Sequence, residues 1–242
     1  MLPVTIPVTE VTCDGQNDPV PGAGPWDWNV VLTVPLCKAA PGNVGWLDWD
    51  PPAGGTMELV CSIINPDNPL ITLPSWQYVA TTGNTNGGGK CEDVENGVPT
   101  GVFYTGVEEG IRKYNGQVVL IPQFDLTCRT TNGDPDPDST KPAVETEPSY
   151  GCPNPPGGGN GQNIWYRMPS FAYFELCDPG VAACSGREGA YIQGNDSDVC
   201  DTGNGATSCL VGKFVDILGT GTVGPGSGSG TGSKALGVQL IR

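Results

Sequence analysis

Residues 117–127, with the sequence QVVLIPQFDLT, form the strongest strand pattern in the chain. Four consecutive apolar residues occupy positions 118–121, and such a short run predicts a strand that is buried on both faces. The expected partner is 164–176, with the sequence IWYRMPSFAYFEL, because aromatic residues also favour strands. This pair therefore predicts the centre of a β-sheet.

The composition restricts what can surround that sheet. The 242 residues include 37 Gly and 24 Pro, about twice the average share of both. Pro breaks helix interiors and Gly destabilises them, so the chain cannot be mainly helical. We expect a mainly β fold: a disulfide-tied antiparallel β-sandwich-like domain with one or two short helices and long Gly/Pro-rich loops. The alternative is a single sheet with α+β decoration.

Apolar patterns elsewhere predict the remaining elements. Further strands are expected at Val4–Val11, Asn29–Leu36, Leu210–Leu218 and Leu236–Ile241. The best short helix is Thr56–Ile64, and a second helix is expected at Val107–Tyr114.

The first helix has a complete pattern. Thr56 is a suitable N-cap, and the apolar positions that follow at helical spacing are Met57, Val60, Cys61 and Ile64. These four side chains are expected to form its buried face.

The chain is expected to form one β-rich extracytoplasmic domain over residues 1–242. Residues 1–28 are predicted to be a peripheral N-terminal segment. Residues 129–162 and 219–233 are predicted to be long loops because they are rich in Pro and Gly.

The ten cysteines are scattered singly and contain no C-x-x-C pair. Zinc sites need closely spaced cysteines, so we predict five disulfides and an oxidising compartment instead. Sequence neighbours are the expected partners, although spacing alone does not fix connectivity. The predicted pairs are Cys13–Cys37, Cys61–Cys91, Cys128–Cys152, Cys177–Cys184 and Cys200–Cys209.

The charged residues exclude several classes of function. The chain has no His, which removes Ser-His-Asp and Cys-His nucleophile systems and imidazole metal sites. Its formal net charge is −15, so nucleic acids and anionic membrane surfaces would repel it. We expect no nucleic-acid partner and no cofactor.

One acidic segment offers a weak calcium pattern. Asp134, Asp136 and Asp138 place carboxylates at alternating positions, as Ca²⁺ loops do, but the turn glycine and the final Glu of an EF-hand are missing. A second, weaker candidate is 195–198. The more economical interpretation of both is a solvated acidic loop, so no metal site is predicted.

Glycoside hydrolysis by paired carboxylates is the catalytic scheme that needs no His. Glu175 together with Glu58 or Asp125 could form such a pair, although each is equally explained as a surface residue. Tryptophans could also provide a sugar-stacking platform, but core or loop packing is the more common role of such residues. The candidates are Trp26, Trp28, Trp46 and Trp49.

Several blocks of the sequence resemble a bacterial extracytoplasmic family. They are residues 41–49, 52–59, 119–128, 192–196, 203–215 and 237–241. These blocks resemble the C-terminal exported region of TadG-related (TadE/G-like) Flp pilus-assembly proteins, and the resemblance spans roughly residues 30–242. It implies an exported β-rich domain and no catalytic residues.

Members of that family typically begin with a single hydrophobic helix. This chain has no signal-peptide pattern and no run of about 18 apolar residues, so we expect an export signal or membrane anchor upstream of Met1.

The expected function is a non-enzymatic extracellular structural or adhesive domain associated with a Tad/Flp-type pilus assembly system, located at the cell surface. Its expected partners are other cell-envelope or pilus proteins, and surface glycans are a second class. The alternatives are a carbohydrate-binding module, with or without Ca²⁺, and a glycoside hydrolase on a β-sandwich.

Overall fold

The structure is a computed structural model of the chain. It describes residues 1–13, 19–36, 46–47, 55–66, 71–79, 89–131, 134–135, 163–181, 184, 190–192 and 208–215. Three predicted features, the strand Leu236–Ile241, the loop 219–233 and most of the loop 129–162, lie outside these residues.

Strands dominate the described part of the chain, as the composition predicts. The first strands are β1 (Ile6–Pro7), β2 (Thr9–Cys13), β3 (Pro19–Pro25), β4 (Leu32–Leu36), β5 (Ser75–Val79), β6 (Lys90–Glu95) and β7 (Val98–Thr105). The later ones are β8 (Val118–Phe124), β9 (Leu126–Thr131), β10 (Asp134–Pro135), β11 (Asn163–Met168), β12 (Ser170–Leu176), β13 (Tyr191–Ile192) and β14 (Ser208–Phe214). The two helices are α1 (Thr56–Ile64) and α2 (Gly106–Arg112).

The predicted central pair is present, and it connects two sheets. β8 and β12 are antiparallel neighbours in a six-stranded sheet, and β9 and β11 are antiparallel neighbours in a four-stranded one. Each predicted strand is therefore divided in two, at Asp125 on one side and at Pro169 on the other. Pro169 has no backbone N–H, so it cannot continue the hydrogen-bonded ladder, and the division falls there.

The six-stranded sheet is completed by segments far apart in the sequence. Its order is β1-β8-β12-β14-β13, and β4 also pairs with β14. β1 runs parallel to β8, so this edge departs from the antiparallel pattern. The segment 1–28, expected at the periphery, places Leu2, Val4 and Ile6 in the main core.

The buried face of the central strand is narrower than predicted. Ile121 is fully buried, but Val118 is 44% exposed, so burial on both faces does not extend over the whole run 118–121. On the opposite side of β12, Phe174 and Phe214 are buried edge to face, with ring centroids 5.0 Å apart. A Cβ at Gly212 would lie 2.2 Å from the Glu175 carbonyl oxygen, so only glycine permits this close approach of β14 to β12.

The first helix has the predicted limits but a different cap and face. Its N-cap is Gly55, which has no side chain, so the prediction of Thr56 as N-cap is wrong. Met57 is 64% exposed, and the buried residues are Leu59, Val60, Ile63 and Ile64. The buried stripe is therefore rotated relative to the predicted one, toward α2. The second helix is shorter than predicted and is followed by a turn over residues 113–116.

The sequence interpretation did not predict the hairpin of β6 and β7. Its turn is Asn96-Gly97, with φ of 51° and 79°. Positive φ at both central residues is typical of a type I′ turn, whose twist matches that of the paired strands. The dipeptide Asn-Gly was therefore a usable signal for this hairpin.

Candidate functional site

Two predicted disulfides are present in the described residues. Cys61 on α1 is bonded to Cys91 on β6, and Cys177 is bonded to Cys184, with Cα atoms 5.1 and 5.7 Å apart. Cys13 and Cys209 each take part in a disulfide as well. The three other predicted pairs each include a residue outside the described part of the chain. Disulfides are typical of an oxidising, non-cytoplasmic environment.

The Cys61–Cys91 bridge lies in a polar junction at the C-terminal end of α1. Asn65, the C-cap residue, donates from Nδ2 to the Glu92 carbonyl oxygen at 2.7 Å, and its Oδ1 accepts from the Val94 N–H at 2.9 Å. One carboxamide thus bonds the main chain of β6 as a neighbouring strand would. The same Nδ2 lies 3.6 Å from Cys91 Sγ.

A buried ion pair holds the other side of this junction. The Lys113 ammonium donates to Asp93 Oδ1 at 2.6 Å and to the Ile64 carbonyl oxygen at 3.1 Å. The Asp93 side chain is almost fully buried, and Lys113 is partly exposed. A cation beside the last carbonyl groups of α1 also complements the helix dipole.

Tyr114 completes the junction. Its hydroxyl donates to the Ile63 carbonyl oxygen at 2.7 Å. Burial, then the nearby Asp93 charge, then Tyr104 raise the pKa of Tyr114 to about 12. These groups bind each other and main-chain atoms, and the arrangement is that of a structural clamp.

Beyond the junction, the β6–β7 hairpin presents exposed apolar side chains. They are Val94, Val98, Val102 and Phe103, which are spread over both faces of the hairpin because neighbouring strand residues point to opposite sides; we call these four residues the hairpin patch. Lys90 lies over the Phe103 ring, 4.3 Å from its centroid.

The edge of β7 is poorly suited to strand addition. The Gly101 N–H donates to the Glu92 carboxylate, and the Thr105 N–H donates to the Glu109 carboxylate. Pro99 has no backbone N–H. Contact with a partner would therefore use the side chains of the hairpin patch rather than a new β-ladder.

Asp125, a candidate catalytic carboxylate, forms a structural ion pair. Its two oxygens accept from Nε and Nη2 of Arg167 at 2.9 and 2.6 Å. Because Asp125 lies between β8 and β9 and Arg167 is on β11, this bidentate pair fixes the point where the two sheets meet.

Glu175 is also engaged, and it is distant from Asp125. Its carboxylate lies 3.1 Å from Lys213 Nζ, directly across from it on β14. Glu175 pairs in register with Val118, seven positions before Asp125 along the same chain segment. At about 3.3 Å per residue, the two positions are about 23 Å apart, well beyond the roughly 5–10 Å of glycosidase carboxylates. Glu58 lies in the first turn of α1, on a separate element.

The tryptophans do not form the predicted platform as a group. Trp26 and Trp46 are buried in the core, and Trp49 lies outside the described residues. Trp28 is 49% exposed and lies against Phe214, with ring centroids 5.8 Å apart. Of the four predicted candidates, Trp28 is therefore the one that the described part of the chain leaves half-exposed.

The predicted acidic segments lie almost entirely outside the described residues. Asp136, Asp138 and residues 195–198 lie outside the described residues, and only the backbone of Asp134 is described. Among the residues that are described, no group of three or more potential metal ligands occurs. Within the same residues, no helix has both the length and the apolar character needed to cross a membrane.

The chain was compared with protein-family models, curated proteins and solved structures. No family model, no curated protein and no solved structure matches it.

Proposed function

We propose that the chain is a non-enzymatic extracellular structural or adhesive domain, associated with a Tad/Flp-type pilus assembly system. The observation that carries this proposal is the use of its polar groups. Asp125, Glu175 and Asp93 each form an ion pair with a Lys or Arg side chain. The polar residues of the junction, Asn65, Lys113 and Tyr114, bind main-chain atoms. Ion pairs of this kind support a role in holding elements together.

The proposed contact surface is the hairpin patch. Val98 is 64% exposed and Phe103 46% exposed, on a hairpin that is anchored by a disulfide and an ion pair. A rigid surface of this kind loses little conformational entropy on binding, which favours its use as an adhesive or assembly contact. The resemblance of residues 41–49 and 119–128 to TadG-related proteins supports the pilus assignment.

Recovery of pilus and envelope proteins from native cells tests this role. The variant Val94→Ser/Phe103→Ser should lower recovery at least tenfold while leaving the unfolding temperature nearly unchanged. Val118→Ser is the matched control, because it removes an equally exposed valine from another surface. Equal recovery by all three proteins, or isolation of the protein from the cytosol with reduced thiols, would refute the proposal.

A carbohydrate-binding role is the second candidate, and Trp28 is the observation that favours it. An exposed aromatic ring can stack on the apolar face of a sugar ring. The backbone next to Trp28 is held in place, because the Asn29 N–H donates to the Phe214 carbonyl oxygen at 2.9 Å. A glycan array with and without a calcium chelator tests this. Binding that Trp28→Ala abolishes would support it, and no binding in either condition would eliminate it.

A further inference from the structure

The two described disulfides differ in access to solvent. Cys177 and Cys184 are both buried, in a cluster with Cys209 and Val211. In the other bridge Cys91 is buried, but Cys61, which packs against the main core from α1, is only partly buried. Thiol–disulfide exchange requires a thiolate to reach one sulfur of the bridge, so access favours the Cys61 side.

The same bridge has a polar neighbour at its buried sulfur. Asn65 Nδ2 lies 3.6 Å from Cys91 Sγ and is held there by its bond to the Glu92 carbonyl oxygen. A hydrogen-bond donor stabilises a thiolate, and a more stable thiolate leaves faster. In this disulfide, therefore, Cys61 is the more accessible sulfur for attack, and Cys91 is the better leaving group.

We propose that Cys61–Cys91 is a thiol-exchange site, attacked at Cys61 by a small thiol or by the thiolate of a dithiol oxidoreductase. The incoming thiolate forms a bond to Cys61 Sγ as the bond to Cys91 breaks, and the electron pair leaves on Cys91 Sγ. A second thiol then attacks the external sulfur, which yields an oxidised external disulfide and two reduced protein cysteines. The protein disulfide is reduced and the external thiols are oxidised.

The surroundings of the bridge allow this exchange without release of the hairpin. After reduction, Asn65 still bonds the main chain of β6, and Lys113 still bonds Asp93. The two thiols therefore stay close together, and Cys91 can close the bridge again by expelling the external thiol. By contrast, Cys177 and Cys184 are only seven residues apart, so an opened bridge there recloses rapidly as well as being hard to reach.

Peptide mapping after brief treatment of the native full chain with glutathione tests the proposal. Acid quenching traps the mixed disulfide before Cys91 can displace it. We expect a glutathione adduct on Cys61, and loss of Cys61–Cys91 at least ten times faster than loss of Cys177–Cys184. Equal rates for the two bridges, or an adduct on Cys91 in place of Cys61, would overturn the proposal.

Two single variants provide a matched check on which sulfur is reached. Cys91→Ser leaves the Cys61 thiol, and Cys61→Ser leaves the Cys91 thiol. In the folded proteins, an alkylating reagent should modify Cys61 at least ten times faster than Cys91, and the reverse order would contradict the assignment. If either variant fails to fold, the mapping of the wild-type chain decides the question alone.

Discussion

The seam between β12 and β14 and the junction between α1 and β6 hold the molecule together in different ways. The buried face of the seam is apolar: Phe174 and Phe214 are directly paired across the two strands and fully enclosed, while the Glu175–Lys213 ion pair beside them is partly exposed. The junction is covalent and polar, built from a disulfide, the Asn65 carboxamide and the Asp93–Lys113 ion pair.

This difference reflects how much apolar surface each region can bury. β14 is almost entirely buried along its length, so packing alone can fix its position. The β6–β7 hairpin exposes nearly every residue of β7, and an isolated two-stranded hairpin is marginally stable in water. At the junction, where little apolar surface is buried, the disulfide, the Asn65 hydrogen bonds and the Asp93–Lys113 ion pair therefore supply the stabilisation.

Replacement of one phenylalanine in each region should give the largest contrast. Phe174→Ala removes a fully buried ring and should lower the free energy of unfolding by about 3–5 kcal/mol. Phe103→Ala removes an exposed ring with one cation–π contact and should cost no more than about 1 kcal/mol. Urea denaturation measures both values. Similar costs would mean that the hairpin patch is buried in solution.

Removal of each described disulfide should give the next largest effects. The chain-entropy relation gives about 3.6 kcal/mol for Cys61→Ser/Cys91→Ser, which opens a link of 30 residues, and about 2.4 kcal/mol for Cys177→Ser/Cys184→Ser, which opens one of seven. Thermal and urea unfolding of the two double variants test the order. A larger loss for the shorter link would show that chain entropy does not govern these bridges.

Loss of the buried ion pair should have a smaller effect. Lys113→Met leaves the Asp93 carboxylate buried without its cation and should cost about 2–3 kcal/mol, since Lys113 itself is partly exposed. Arg112→Met is the matched control on the neighbouring residue, because the Arg112–Glu108 pair is exposed and should contribute less than about 0.5 kcal/mol. Equal losses would mean that water reaches Asp93 freely.

The same comparison explains how far the sequence alone can lead. The strand pair 117–127 and 164–176 and the helix Thr56–Ile64 were predictable, because their apolar patterns are local and regular. The break at Pro169 has a local signal in the missing N–H, but the Asp125–Arg167 ion pair that joins the two sheets there was not predictable, because its residues are 42 positions apart. The rotation of the α1 face toward α2 likewise depends on a neighbour that periodicity does not identify.

The junction was less predictable than the seam. Sequence proximity suggested Cys61–Cys91, but nothing in the pattern indicates that Asn65 would bond the main chain of β6 or that Lys113 would reach the end of α1. Both are side-chain-to-backbone contacts between elements that become neighbours only on folding. The hairpin itself was predictable, because the dipeptide Asn96-Gly97 favours a type I′ turn.

Tyr114 offers the finest test of the polar junction. Tyr114→Phe removes one hydrogen bond to the Ile63 carbonyl oxygen and should cost about 1 kcal/mol near pH 7. Because burial raises the pKa of Tyr114 to about 12 from 10 in the unfolded chain, the stabilising contribution of the neutral phenol is complete below pH 10 and is lost as the pH rises through 12. The advantage of the wild type over Tyr114→Phe should therefore shrink between pH 9 and pH 10.5 in urea denaturation. Tyrosinate absorbance should show one fewer late-titrating group in the variant. A constant stability difference, together with loss of a group that titrates near pH 10 instead, would place Tyr114 in free contact with water.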